Sequence, residues 1–123
     1  MDFKLELVLI PVADVDRAKR FYERLGWRID TDIARGDDFR IVQVTPHGSA
    51  CSFAFGTGVT DAAPGSVKGL QLVVPDADAA RAELLERGVE VGEVQEFDWG
   101  RFVFFADPDG NAWSVQELPP RPS

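Results

Sequence analysis

The segment Val12-Ala13-Asp14-Val15-Asp16-Arg17-Ala18 decides the fold, because a similar segment, Val74-Pro75-Asp76-Ala77-Asp78-Ala79-Ala80, follows it 62 positions later. The same offset of 62, which separates Asp14 from Asp76, matches further residues without a gap: Gly26 with Gly88, Pro46 with Pro108, Gly48 with Gly110 and Ser52 with Ser114. Accidental matches would not keep cap, turn and strand residues in one register. The chain is therefore predicted to contain two equivalent modules, with its function between them.

The first copy has the pattern of one strand, one helix and three strands. An apolar run from Leu5 to Val12 predicts the first strand, and Asp14 is well placed to accept the free N–H groups of a following helix. This helix carries apolar side chains at helical spacing up to Leu25 and ends at Gly26. Turn residues separate the three further predicted strands, which span residues 27–33, 39–44 and 50–55.

The second copy repeats this order. Its elements are predicted at residues 67–74, a helix from Asp76 to Gly88, and strands at 89–96, 101–106 and 112–118. Two βαβββ modules, residues 4–56 and 67–118, are thus joined by a linker over 57–66 within a single α+β domain, residues 1–123. The last five residues, 119–123, include three prolines and are predicted to be a disordered tail. Because a four-stranded sheet with one apolar face is not stable alone in water, the modules should pair.

The composition limits the partners and the compartment. The net charge of −8 and the pI near 4.5 argue against nucleic acid and anionic membranes, since the mean field repels phosphate. A neutral or cationic small organic molecule is the expected partner. Cys51 is the only cysteine, and no stretch approaches the ~18 consecutive apolar residues of a membrane span. The N-terminus also lacks the apolar run of a secretion signal, which predicts a cytoplasmic location.

Two further stretches complete a recognisable pattern: Phe21-Tyr22 with Leu25-Gly26-Trp27, and Asp107-Pro108-Asp109-Gly110-Asn111 before the last strand. Together with the repeated segment, they make the chain resemble the vicinal oxygen chelate superfamily, which includes glyoxalase I, extradiol dioxygenases, fosfomycin-resistance enzymes and bleomycin-binding proteins. The resemblance covers nearly the whole chain. It implies paired βαβββ modules around an open barrel-like cavity, commonly with a divalent metal on the inner wall, and a homodimer.

The resemblance also indicates where the metal-binding members place their ligands. The usual histidine of the first strand falls on Leu7 and, by the internal repeat, on Gly69. The usual carboxylate of the closing strand falls on Ser114 and, by the repeat, on Ser52. Divalent ions of this class need imidazole or carboxylate groups, which Leu, Gly and Ser cannot replace. The chain is therefore expected to bind no metal and no other cofactor, and no catalytic residue can be named.

Strand alternation extends this set of positions to every second residue of the cavity wall. The expected ligand-binding residues of the wall are Leu7, Leu9, Ser52, Ala54, Gln71, Ser114 and Gln116. The residues expected to pack under the helices are Val8, Cys51, Phe53, Leu70, Val73, Trp113 and Val115. Such an apolar wall with a few neutral hydrogen-bonding groups suits an organic ligand. The alternative is that these groups only satisfy one another in a vestigial cavity.

The rim of the cavity has two candidates for ligand binding. Trp99 lies in a turn between strands and either lines the mouth or packs on its own loop. Arg40 lies in the matching loop of the first module, next to Asp37 and Asp38, whose carboxylates would attract a cation. His47 is the only histidine and is expected to be a solvated turn residue.

Three functions remain open from the sequence. The leading hypothesis is a metal-independent protein that sequesters a small organic ligand or acts on it by positioning and hydrogen bonding. The runner-up is a divalent-metal-dependent lyase or dioxygenase of the glyoxalase type with displaced ligands, which rests on fold analogy. The third is an interaction module with a collapsed cavity. Intrachain and domain-swapped pairing of the modules both fit the sequence.

Overall fold

The computed structural model describes residues 1–120, and its helices and strands follow the predicted order. The first half contains β1 (Leu7–Leu9), α1 (Val15–Arg24), β2 (Arg28–Arg35), β3 (Phe39–Thr45) and β4 (Ser52–Thr57). The second half contains β5 (Leu70–Val74), α2 (Ala77–Glu86), β6 (Gln95–Phe97), β7 (Gly100–Ala106) and β8 (Ala112–Glu117). These elements confirm the α+β class and the two βαβββ modules. Of the predicted tail, Pro119 and Pro120 belong to no helix or strand, and residues 121–123 lie outside the described residues.

Each module forms its own four-stranded sheet, with the strand orders β1-β4-β3-β2 and β5-β8-β7-β6. In both sheets the opening strand runs parallel to the closing strand, and the other pairs are antiparallel. Over residues 1–120 no strand pairing joins the two sheets, so they do not close into a barrel. No helix of this part of the chain is long and apolar enough to cross a membrane.

Both helices begin at the aspartates that the sequence identified as caps. The side chain of Asp14 accepts a hydrogen bond from the Arg17 backbone N–H, and that of Asp76 accepts one from Ala79, each at 3.0 Å. The bond from Arg17 is the main reason why the pKa of Asp14 lies below its ordinary value. These caps satisfy N–H groups that have no partner within the helix.

The two modules share one apolar core between their helix-covered faces. Tyr22 of α1 is fully buried, and its ring centre lies 4.7 Å from that of Phe53 on β4 and 6.0 Å from that of Trp113 on β8. Trp27, which follows α1, adds an edge contact of 5.2 Å with Trp113. Aromatic side chains of this size dominate the burial of apolar area, so the modules cannot separate without exposing this cluster.

Three details of the sequence interpretation are corrected. The offset of 62 holds for the helix caps and closing strands, but Leu7 pairs with Ser52 where Gln71 pairs with Ser114, so the opening strands are equivalent at an offset of 64. The strand predicted at 89–96 is confined to Gln95–Phe97, because Val89 caps the end of α2 through a bond to Leu84 O of 2.9 Å. Val73 is 60% exposed rather than packed under a helix, because it alternates with Leu72 and Val74.

A buried hydrogen-bond network locks the two modules together around the Asp107–Asn111 turn. Asn111 is 0% exposed, donates to Pro11 O and to Asp107 Oδ2, each at 2.8 Å, and accepts from the Val67 backbone N–H at 3.2 Å. The Tyr22 hydroxyl donates to Asp107 Oδ2 at 2.8 Å. Burial and the adjacent carboxylate raise the pKa of Tyr22 well above its ordinary value, so its proton stays in this bond.

The same turn also receives the linker and the start of α1. Asp109 accepts from the Ala13 backbone N–H and from the Arg17 guanidinium, both at 3.0 Å. Gly65 of the linker, at φ +77, passes so close that an added Cβ would lie 2.0 Å from Asp109 O. Only glycine can take this backbone conformation at that distance. The turn is therefore the place where both modules and the linker meet.

We predict that Tyr22→Phe destabilises the protein by about 2 kcal/mol, because Asp107 loses a donor and the Trp113 indole N–H, 3.0 Å from the hydroxyl, loses its acceptor. The ring packing is preserved, so the loss reports the hydrogen bonds. Urea denaturation followed by tryptophan fluorescence measures it. A loss below about 0.5 kcal/mol would show that the network adds little to stability.

We predict that Gly65→Ala is far more destabilising than Gly48→Ala. Both glycines have positive φ, +77 and +81, so each alanine carries a conformational cost of about 1 kcal/mol. At Gly48 an added Cβ meets nothing within 4 Å, whereas at Gly65 it collides with Asp109 O, which adds ~2 kcal/mol. Thermal unfolding of the two variants compares them directly. Equal losses would contradict the tight contact between linker and turn.

Candidate functional site

A cavity of about 340 Å³ lies between the two modules, at the start of the strands β1, β4 and β5. Its lining is mainly apolar and includes Leu5, Val8, Phe53, Leu70, Leu72 and Trp113. Three polar side chains also reach it: Ser49 and Ser52 from the first module, and Gln71 from the second. A mostly apolar cavity with a few polar groups has the composition of a small-molecule site.

The predicted wall residues share the outer faces of the two sheets, which the helices do not cover. In the first sheet, Leu7 lies beside Ser52 and Leu9 beside Ala54. In the second sheet, Gln71 lies beside Ser114, and Gln116 beside Val73. Leu7 and Leu9 are 37% and 41% exposed, so this part of the wall is open in the isolated chain. Of the whole predicted set, Ser52 and Gln71 line the cavity itself.

Arg40 is not part of this wall. It alternates with Ile41 and points with Val42 toward α1, where its guanidinium binds Asp32 at 2.9 and 3.0 Å and Asp16 at 2.8 Å. These bonds raise the pKa of Arg40 and hold that of Asp32 well below its usual range. The sequence interpretation placed Arg40 at the rim of the cavity, and this position is wrong because strand alternation directs the side chain to the helix side.

Trp99 is 60% exposed and belongs to a row of aromatic rings on the outer face of the second sheet. Its ring stacks on Phe97 at 5.3 Å between centres, and Phe97 meets the edge of Phe102 at 5.6 Å. Phe102 in turn stacks on Phe104 at 5.8 Å. We call these four residues, Phe97, Trp99, Phe102 and Phe104, the aromatic row. Phe102 and Phe104 lie beside Gln116 and Ser114 in the sheet, which places the row along the polar wall positions.

The sequence interpretation missed three members of the aromatic row. The signal was present in Arg101–Ala106, where Phe102 and Phe104 alternate as one face of a strand. The register that sets this face beside Ser114 required the pairing of β7 with β8. The three exposed members, Phe97, Trp99 and Phe104, form an apolar patch of the kind that marks a binding surface.

A chain of amide groups connects the polar residues of the second sheet. Gln116 donates to the backbone oxygen of Trp99 at 2.7 Å and accepts from the side-chain amide of Gln71 at 2.5 Å. Ser114 adds long contacts to Leu70 O at 3.4 Å and to Gln71 Oε1 at 3.5 Å. Gln116 thus fixes the turn that carries Trp99, and it ties this turn to the opening strand.

A chain of hydroxyl groups crosses the outer face of the first sheet. The Ser52 and Thr45 hydroxyl oxygens lie 2.6 Å apart, and Thr45 donates to the carboxylate of Asp30. The side chain of Arg28 donates to the other oxygen of that carboxylate. The bonds from Thr45 and Arg28 lower the pKa of Asp30, so the group is ionised at neutral pH. The sequence interpretation included Ser52 but not Thr45 or Asp30, which only the sheet brings next to it.

The side chains at the four positions where metal-binding members of the superfamily carry their ligands do not fit a divalent ion. In the strand register, Gln71 rather than Gly69 lies beside Ser114. The four positions therefore hold Leu7, Ser52, Gln71 and Ser114. All three polar groups are neutral, and Ser52 and Gln71 are engaged in the chains described above. Over residues 1–120 no group of three or more His, Cys, Asp or Glu side chains could hold a metal ion. His47 is exposed in its turn.

Comparisons with known proteins agree with this architecture. The family model of the Glyoxalase/Bleomycin resistance protein/Dioxygenase superfamily matches residues 4–115. The uncharacterized protein YetH of Bacillus subtilis (strain 168) is 26% identical over 113 residues, which cover 89% of this chain and 94% of YetH. Relatives at this level of identity establish descent rather than a shared ligand.

Two solved structures from Streptomyces sp. CB03234 are similar to this chain. TnmS3, an antibiotic binding protein, is 36% identical and superposes with a TM-score of 0.84 over 96% of this chain and 98% of that chain. A glyoxalase/bleomycin resistance protein from the same strain is 38% identical, with a TM-score of 0.77 over 92% and 99% of the two chains. With its paired βαβββ modules, its repeated caps and these matches, the chain belongs to the glyoxalase/bleomycin resistance protein/dioxygenase superfamily.

Proposed function

We propose that this protein binds a small organic molecule at the cavity between its modules and along the adjoining outer face of the second sheet, which meet at Gln71, and sequesters it by shape, stacking and hydrogen bonding, without a divalent metal. The observation that carries the proposal is the aromatic row beside the neutral polar residues Gln71, Ser114 and Gln116 on one face of the second sheet. Stacked rings bind flat apolar groups through their faces, and the amides and hydroxyls orient the polar part of a ligand.

The geometry of the aromatic row supports a planar ligand. The planes of Phe97 and Trp99 differ by 9°, and those of Phe102 and Phe104 by 6°. Exposed flat rings at Trp99 and Phe104 leave faces on which a further ring can stack. The description of TnmS3, at 36% identity, as an antibiotic binding protein supports a small organic ligand. The negative net charge of −8 favours a cationic or neutral molecule over an anion.

We also propose that the protein acts as a homodimer in the cytoplasm. In the single chain, the outer faces of both sheets expose apolar side chains, among them Leu9 at 41% and Val73 at 60%. If a second copy packs its outer sheet face against the outer sheet face of the first, the dimer buries these residues and encloses a ligand. Pairing within the chain uses the helix-covered faces, so this contact leaves the shared core intact.

The metal-dependent lyase or dioxygenase stays the alternative function. Its support is the family match, since the family name includes both activities. The neutral wall residues supply neither a ligand set nor a paired general acid and base.

We predict that the protein binds flat aromatic antibiotics, and that chelator does not weaken the binding. The planar dye 9-aminoacridine is a suitable probe in calorimetry, with and without EDTA. Trp99→Ala and Phe104→Ala should weaken the binding of 9-aminoacridine about fivefold or more each, because each removes a stacking surface worth roughly 1 kcal/mol or more.

The matched control is Leu85→Ala, which removes a side chain that is 46% exposed on α2, away from the aromatic row. This variant should bind like the wild type. Equal affinity of all variants would contradict the role of the aromatic row, and loss of binding with EDTA would favour the metal-dependent alternative.

We predict that light scattering gives twice the chain mass of 13.6 kDa. Val73→Glu should shift the protein to the monomer, because it places a charge on the exposed outer face that the dimer covers. Leu85→Glu adds the same charge on the exposed surface of α2 and should leave the dimer unchanged. A wild-type monomer at micromolar concentration would rule out the proposed assembly.

A further inference from the structure

We propose that the hydroxyl of Ser52 is fixed as a hydrogen-bond acceptor toward the cavity, so that the site selects ligands that present a donor, such as a protonated amine. This inference rests on the proposed binding function and adds the polarity of the ligand to it. It follows from the direction of the hydrogen bonds in the chain Arg28, Asp30, Thr45 and Ser52.

The carboxylate of Asp30 sets the direction of these hydrogen bonds. An ionised carboxylate has no hydrogen and accepts only. The bond between Thr45 Oγ1 and Asp30 Oδ2 must therefore use the hydrogen of Thr45. Arg28, which can only donate, occupies Asp30 Oδ1 and holds the carboxylate in its ionised form.

The direction of the hydrogen bond between Thr45 and Ser52 follows from this. Thr45 has one hydroxyl hydrogen, and Asp30 takes it, so Thr45 can only accept from Ser52 at 2.6 Å. The single hydroxyl hydrogen of Ser52 is used in this bond. Thr45 is 5% exposed and Ser52 is 7% exposed, which leaves little water to compete for these hydrogens. Toward the cavity, Ser52 therefore offers only lone pairs.

The hydrogen bonds of the side-chain amides in the second module also have a fixed direction. The backbone oxygen of Trp99 accepts from Gln116, so the amide oxygen of Gln116 must face Gln71 and receive a hydrogen from its NH₂ group. This assignment turns the oxygen of Gln71 toward Ser114 and the outer face. Ser52 and Gln71 both line the cavity, but the Gln71 oxygen lies on the Ser114 side, so Ser52 is the acceptor that the inference assigns to the cavity.

This arrangement favours a donor over an acceptor at the same place on a ligand. An ammonium or amino group can bond to the lone pairs of Ser52, whose own hydrogen is held by Thr45. A ligand carboxylate or carbonyl there would face lone pairs and lose its own hydration without replacement. The expected discrimination between otherwise equal ligands is at least about tenfold.

Three probes with the same ring system distinguish binding of a flat ligand from the preference for a hydrogen-bond donor. 9-Aminoacridine carries a donor, acridine carries neither added group, and acridine-9-carboxylate carries an acceptor. Fluorescence titration of the wild-type protein at pH 7.5 should give the tightest binding for 9-aminoacridine and the weakest for the carboxylate. Binding of acridine with no preference for the amino compound would overturn the inference and leave the proposed function standing.

Asp30→Asn tests the chain of hydroxyls directly. An asparagine NH₂ group can donate to Thr45, which would let Thr45 donate to Ser52 and turn the Ser52 hydrogen into the cavity. We expect the preference for 9-aminoacridine over the carboxylate to fall at least about fivefold, because donor and acceptor positions are exchanged. Asp32→Asn removes the same charge from the same strand, but Asp32 binds Lys19 and Arg40 on the helix side.

Asp32→Asn should keep the wild-type preference. An equal fall in both variants would mean that net charge rather than hydroxyl direction sets the preference, and would overturn the inference. Thr45→Val is a second variant that interrupts the chain, and it should also reduce the preference.

Neutron diffraction from a deuterated crystal gives a readout that needs no ligand. The Thr45 deuterium should lie on the line to Asp30, and the Ser52 deuterium on the line to Thr45. A Ser52 deuterium directed into the cavity would overturn the inference, even if all three acridines bind. If none of the three probes binds, the proposed function fails for flat aromatic ligands, and the neutron result still decides the polarity of Ser52.

Discussion

The structure depends on the buried hydrogen-bond network around Asp107 and Asn111. Asn111 has no exposure to solvent, and its amide reaches Pro11 before α1, Val67 before β5 and Asp107 in its own turn. Tyr22 joins the same carboxylate from the helix of the other module. Since an unpaired polar group in such a place would cost about 1 to 3 kcal/mol, the two modules have one relative position in which Asn111, Asp107 and Tyr22 all find their partners. That position sets the cavity between them.

The two outer faces have diverged although the modules share one plan. By strand pairing, Thr45 of β3 occupies the place of Phe104 on β7, since Val44 is opposite Phe53 where Val103 is opposite Val115. One face therefore carries a hydroxyl chain that ends at a carboxylate, and the other carries stacked rings. In the proposed dimer, where outer faces of two copies pack together, a ligand held between two such faces would meet polar recognition on one side and stacking on the other. This asymmetry fits a molecule with a flat part and a donor-bearing part.

Several parts of the site were predictable because they depend on local chemistry. Asp14 and Asp76 cap helices through their own side chains, and alternation in short strands puts Leu7 with Leu9 and Ser52 with Ala54. The interpretation went wrong where a loop differs in length between the copies. The first module has two more residues than the second between its opening strand and its helix, so the opening strands are equivalent at an offset of 64. The equivalent of Leu7 is therefore Gln71 and not Gly69. Arg40 was misplaced because the face of its strand cannot be assigned without the register, whereas Val73 shares the face of Gln71 by alternation alone.

The sequence by itself determined the two βαβββ modules, their caps and turns, and the poor match to a metal site, because these follow from residue type and spacing along the chain. Tertiary structure alone decided which polar groups meet. Asp30, Thr45 and Ser52 lie 15 and 7 positions apart in sequence and become one chain only when β2, β3 and β4 pair. The aromatic row likewise depends on the pairing of β6, β7 and β8. Long-range pairing brings these side chains together, and no local pattern encodes its register.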